Sequence, residues 1–106
     1  MKLGIVISTS EPETVWNAYR LANFALNEKD NVKVFLLARG VESEFGSEKY
    51  NIKEQISQFV SKGGEIYACG TCMKSRQMNS RETCPISSMK DLYQIIKESD
   101  KVLAFG

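Results

Sequence analysis

Leu3-Gly4-Ile5-Val6-Ile7-Ser8-Thr9-Ser10-Glu11-Pro12-Glu13 decides the fold class. Leu3 to Ile7 is a short, continuously apolar run rich in β-branched residues, which predicts a strand buried on both faces. The polar Ser8-Thr9-Ser10 ends it. Ser10 and Glu13 have the spacing of a capping box, and Pro12 fits a first helical turn, where its missing N–H is not needed. A helix is therefore predicted to follow at once. Val15, Ala18, Ala22 and Ala25 recur at helical spacing, with Leu21 and Leu26 widening the face that would lie on a sheet. Trp16, Tyr19 and Phe24 fall partly off that stripe; they either finish the core or meet a second subunit, where aromatics are enriched.

The same alternation continues along the chain. Val32 to Ala38 reads as a second strand, and Arg39-Gly40 marks its exit from the sheet. Residues 41–50 form a polar connection, either an ordered crossover or a mobile flap. Asn51 with Glu54 predicts the start of a helix whose face is Ile52, Ile56, Phe59 and Val60, ended by Gly63-Gly64. Glu65 to Cys69 is a third strand. Gly70 to Cys84 is polar, basic and without clear periodicity, so it reads as the longest irregular stretch and the natural seat of function. Ser87 or Ser88 caps a last helix carrying Met89, Leu92, Tyr93 and Ile96, and Val102 to Phe105 closes the chain as a strand. This order predicts an α/β domain, a parallel sheet with helices on both faces and right-handed crossovers. In open sheets of this kind the crevice lies outside the carboxyl ends of the strands. That edge collects Ser8, Thr9, Ser10, Arg39, Cys69, Gly70, Thr71 and Cys72.

Composition bounds the function. The 106 residues suit one domain spanning 1–106, and 42% hydrophobic with 25% charged residues exclude disordered and collagen-like architectures. Fourteen basic against thirteen acidic residues give a net charge of +1, which removes the main electrostatic argument for a nucleic-acid partner. No apolar stretch is long enough for a membrane span, and the start of the chain lacks signal-peptide features, so no membrane partner is expected. The absence of histidine excludes Ser-His-Asp and Cys-His nucleophile pairs and imidazole-bound zinc. Three cysteines, an odd and small number, point to a reducing, cytoplasmic setting.

Cys69-Gly70-Thr71-Cys72 is the constellation with chemical content. Gly70 would let backbone N–H groups approach a sulfur, and Lys74, Arg76 and Arg81 follow closely. Cations and oriented amides stabilise a thiolate and raise its nucleophilic fraction. Either cysteine alone would also serve as a small buried hydrophobe, and each cation as a solvated loop charge. A thioredoxin-like dithiol role is weakened by the late position of the motif, with only one helix and one strand clearly behind it. A metal site built on Cys69, Cys72 and Cys84 lacks the usual second ligand pair. A nucleotide site lacks a glycine in the first loop for phosphate to approach. No cofactor is called for.

The order of elements, Ala68-Cys69-Gly70-Thr71-Cys72 with Arg76 beyond it, and the ending Ser99-Asp100-Lys101-Val102-Leu103-Ala104-Phe105 resemble the DsrE/DsrF-like family, especially its small YchN-like members. The resemblance spans nearly the whole chain. It implies a three-layer α/β/α domain with a mainly parallel five-stranded sheet in order 4-3-2-1-5, the short fourth strand lying near Thr83-Cys84-Pro85-Ile86. It also implies homo-oligomers, commonly trimers or hexamers, and a cysteine that carries persulfide sulfur between a protein donor and a protein acceptor. That cysteine corresponds to Cys69; Cys72 matches the second cysteine of the YchN-like subgroup, and Cys84 matches nothing in the motif. The leading expectation is a sulfurtransferase-like carrier. In it a solvent-reachable Cys69 thiolate takes up sulfur with Cys72 assisting, Lys74 and Arg76 stabilise the anion, and Ser8, Thr9, Ser10 and Arg39 line the crevice. The rivals are a non-catalytic oligomeric binding or regulatory protein whose cysteines hold metal or sense redox state, and a dithiol oxidoreductase.

Overall fold

The computed structural model describes residues 1–78 and 86–106. Its elements in chain order are β1 (Lys2–Ile7), α1 (Pro12–Asn27), β2 (Asn31–Leu36), a 3-10 helix (Ala38–Phe45), α2 (Ile52–Ser61), β3 (Glu65–Cys69), α3 (Gly70–Ser75), β4 (Ile86–Ser87), α4 (Met89–Glu98) and β5 (Lys101–Phe105). The sheet order is β4-β3-β2-β1-β5 and the pairings are parallel, as the resemblance implies. Ile5 of β1 sits opposite Val34 on one side and Leu103 on the other.

Alternation along the strands then sorts the core into two clusters. Leu3, Ile5, Ile7, Val32, Val34, Leu36, Ile66 and Ala68 pack with the α1 and α2 residues Val15, Ala18, Tyr19, Ala22 and Phe59. Phe35 and Cys69 point the other way and meet Ile95 of α4, with Tyr67, Leu37 and Leu92 packed around them. The aromatics of α1 divide. Tyr19 is fully buried edge-to-face on Phe59, at 5.9 Å between centroids. Trp16 is half-buried, 5.2 Å from the Tyr50 ring and under the Arg20 guanidinium, while Phe24 stays exposed.

Two local expectations are corrected and one open alternative is decided. The N-cap of α1 is Glu11, whose carboxylate accepts from the Glu13 and Thr14 N–H groups, not Ser10. Pro12 is the cause: a proline disfavours helical geometry in the residue before it, so the extended Glu11 becomes the cap. Residues 38–45 are a 3-10 helix with Val41 and Ser43 buried, so this part of the polar connection is an ordered crossover. Gly70–Ser75, expected to be irregular, is the short helix α3, with Met73 as its buried anchor. Caps at Asn51 and Ser88 are present, the latter as a capping box with Asp91. Of the expected fourth-strand segment, Thr83, Cys84 and Pro85 lie outside the described residues, and β4 is seen at Ile86–Ser87.

Candidate functional site

β3 ends at Cys69, which is also the residue before α3, so the chain turns from sheet to helix on the cysteine itself. Gly70 permits that turn to press against β4: a Cβ there would lie 2.7 Å from Ile86 Cγ2 and 3.3 Å from the Ser87 carbonyl oxygen. The glycine therefore serves close packing between α3 and β4. Cys72 comes one helical turn later and brings its sulfur back to Cys69. Both cysteines are free thiols.

The two sulfurs sit in different surroundings. Cys69 is 3% exposed, enclosed by Phe35 and Ile95; the expectation of a thiol open to bulk water is not met by this residue. Its place in the pleat explains why. β3 is an interior strand, and Cys69, two residues after Tyr67, points to the face that α4 covers. Cys72 is half-buried where both core clusters meet. Its Sγ accepts a hydrogen bond from the Ala38 backbone N–H at 3.2 Å. Ala38 itself has a left-handed φ of 53°, a conformation that costs a residue with a Cβ on the order of 1 kcal/mol.

Arg76 completes the cluster. Its Nη1 donates to the Cys72 carbonyl oxygen at 3.2 Å, and its Nε lies 3.3 Å from Glu42 Oε1 on the 3-10 helix. Burial pushes the Cys72 thiol above the ordinary cysteine range, and a hydrogen bond with Cys69 adds to this. The Ala38 amide and the Arg76 charge pull it back down. Nearby, Tyr67 donates its hydroxyl to Glu65 at 3.0 Å; burial, with that partner, raises its pKa to about 12. It stays neutral beside the cysteines.

The remaining expected residues separate. Thr71 and Lys74 are exposed on α3, and Arg39 is exposed on the 3-10 helix. Ser8 hydrogen-bonds the Phe105 carbonyl oxygen, and Thr9 Oγ1 accepts from the Glu11 N–H. Ser8, Thr9 and Ser10 follow β1, two strand spacings from β3, roughly 10 Å away. The structure thus joins Cys69, Cys72 and Arg76 and leaves the serine-threonine run at another part of the rim. Sequence reasoning missed Ala38 and Glu42. An alanine gives no sign that its amide is in use, and Glu42 lies in a stretch without a motif. Among the described residues no three His, Cys, Asp or Glu side chains gather as for a metal ion; Cys84, the third member of the metal alternative, lies outside them, as does Arg81. No helix among the described residues is long and apolar enough to cross a membrane.

A parallel α/β/α sheet with a paired thiol at the carboxyl end of an interior strand defines a thiol-bearing domain of the kind its order of strands implied. The chain belongs to the DsrE/DsrF-like family, whose sequence profile matches residues 1–105. It is 35% identical to the uncharacterized protein MK0008 of Methanopyrus kandleri, over 97% of this chain and 93% of the relative. It is 32% identical to the uncharacterized protein MJ0989 of Methanocaldococcus jannaschii, over 99% and 100%. The fold is that of the ychN protein from E. coli, with a TM-score of 0.85 at 22% identity over 99% of this chain and 100% of that one. A conserved protein of unknown function, BT1422 from Bacteroides thetaiotaomicron, follows at 0.78 and 22%, over 97% and 93%.

Proposed function

We propose that the protein is a cytoplasmic sulfur-relay carrier, sulfurtransferase-like in its chemistry, that holds persulfide sulfur on Cys69 with Cys72 assisting. The observation that carries this reading is that Cys72 packs against the cluster holding Cys69, with the Ala38 amide on its sulfur and the Arg76 guanidinium on its carbonyl. Thiol–persulfide exchange needs an attacking sulfur within reach of another; the cluster brings the two cysteines together, and the Ala38 amide and the Arg76 charge offset part of what burial costs the Cys72 anion. The reduced protein, incubated with a persulfide donor, gains one sulfur atom in its intact mass, and peptide mapping finds it on Cys69. No gain, or an undiminished gain when Cys69→Ser and Cys72→Ser are combined, sinks the reading.

Donor and acceptor are proteins in this reading, and the carrier itself is a homo-oligomer, a trimer or hexamer. Support comes from an apolar surface that one chain leaves uncovered. On α4, Tyr93 is 64% and Ile96 48% exposed, and beside them the edge strand β5 exposes Val102 at 39%. An open apolar edge strand invites pairing or covering. A monomeric mass by light scattering at micromolar concentration would remove this part.

A further inference from the structure

Resting on the sulfur-relay reading, we infer that Cys72 makes the exchanges with other proteins, and that Cys69 is an internal store loaded only through it. Displacement at a sulfur requires attacker, attacked sulfur and leaving group to lie nearly in line. The donor's bulk must therefore stand outside the attacking thiol. Cys69 offers no such approach, being 3% exposed behind Phe35 and Ile95. Cys72 is the less buried of the two, half-buried at the rim between the 3-10 helix and α3. It is also the sulfur that receives the Ala38 N–H and has the Arg76 guanidinium anchored on its own carbonyl.

The steps balance without an oxidant or reductant. The Cys72 sulfur attacks the outer sulfur of the donor persulfide; a new S–S bond forms on Cys72 and the donor's S–S bond breaks. The donor leaves as a thiolate and takes up the proton that Cys72 gave up. Cys69 then attacks the outer sulfur now on Cys72, becoming the persulfide, while the Cys72 sulfur leaves and recovers a proton from Cys69. Each step is a thiol–persulfide exchange, and the total of thiols and persulfides is unchanged. The store lies among Phe35, Leu37, Tyr67 and Ile95, away from dissolved reductants. Delivery runs the two steps backwards onto an acceptor thiol.

Initial loading rates with glutathione persulfide separate this from simple capture on Cys69. Cys72→Ser should load at least about tenfold more slowly than the parent, whereas Cys69→Ser should load within about twofold of it and keep the sulfur on Cys72. Cys72→Ala repeats the test should the serine disturb folding. In the unmutated protein, iodoacetamide should label Cys72 ahead of Cys69, and protein so labelled should no longer load. Parental loading in Cys72→Ser, failure of Cys69→Ser to load, or prior labelling of Cys69 each overturns the inference. If the unmutated protein gains no sulfur at all, the relay reading itself has failed.

Discussion

Gly40 is the position where one methyl group tests the link between fold and site. It lies in the 3-10 helix, and a Cβ built there would stand 1.9 Å from the Ile7 carbonyl oxygen and 2.7 Å from its carbon. Non-bonded heavy atoms settle near 3.5 Å, so Gly40→Ala must open a gap of about 1.5 Å. The obstacle is backbone at the end of the interior strand β1 and cannot swing aside. That same Ile7 oxygen accepts the Leu37 N–H at 2.9 Å, and the Gly40 N–H donates to Leu37 at 2.8 Å. A shift of this size breaks at least the first of these among buried groups, costing about 1–3 kcal/mol. It also loosens Val41, which is fully buried, bringing the expected loss to about 2–4 kcal/mol. For a domain of this length that is a fall in Tm of about 8 °C or more, read by circular dichroism. Because Ala38 shares the segment, its N–H should retreat from Cys72 Sγ, and the alkylation midpoint of Cys72 should move to higher pH. A variant with unchanged melting and an unchanged midpoint would refute the claim that the 3-10 helix is clamped onto β1 and sets the sulfur's surroundings.

Other perturbations probe separate parts of the molecule. Phe59→Ala empties the centre of the α1–α2 side of the core and should cost about 3–5 kcal/mol in urea denaturation; a loss under about 1 kcal/mol would mean that Tyr19 and its neighbours collapse into the space. Hydrogen bonds from Thr14 hold the Glu11 carboxylate below its ordinary range, so its contribution is present above the unfolded-state pKa and fades as pH falls through the folded one. In Glu11→Gln the acid limb of Tm against pH should flatten, and a curve parallel to the parent's would exclude the cap as its source. The hydrogen bond and charge of Asp30 raise the Met1 ammonium, so that contribution is present below the unfolded pKa and lost as pH rises through the folded one. Acetylating the N-terminus should flatten the alkaline limb instead. Burial raises the Cys72 thiol while Arg76 opposes it, so Arg76→Met should push its alkylation midpoint higher still; a lower midpoint would show that the guanidinium does not act on the sulfur.

The strands and long helices were legible because each repeats its signal. Val32 to Leu36 is apolar at nearly every position, and Ile52, Ile56, Phe59 and Val60 return to one helical face. The 3-10 helix and α3 repeat nothing. α3 is six residues long and hangs on one buried side chain, Met73, while the 3-10 segment shows polar residues outward and buries chiefly Val41 and Ser43. Such elements are held by the structure around them, and a window of sequence carries too little of that information. The order of the strands was legible only through family likeness, since alternation of strands and helices fixes parallel pairing but leaves several orders open.

The depth of Cys69 was available in the sequence, though the rule that places ligand crevices at the carboxyl ends of strands pulled the reading the other way. That rule concerns the crevice as a whole. A side chain in the last strand position still obeys the pleat, so Cys69 shares the face of Tyr67, and a chain that returns through a helix to a further parallel strand covers that face. The first residue clear of the sheet that can turn back toward the same spot lies about one helical turn on, at Cys72. A C-x-x-C that starts on the final residue of an interior strand therefore makes one sulfur internal and the other peripheral before any distance is measured. The same spacing placed one residue earlier would put the first cysteine at position 68, on the α1–α2 face, and the second at position 71, which is exposed on α3. The position of the motif relative to the strand end, rather than the motif alone, decides which thiol lies toward the surface.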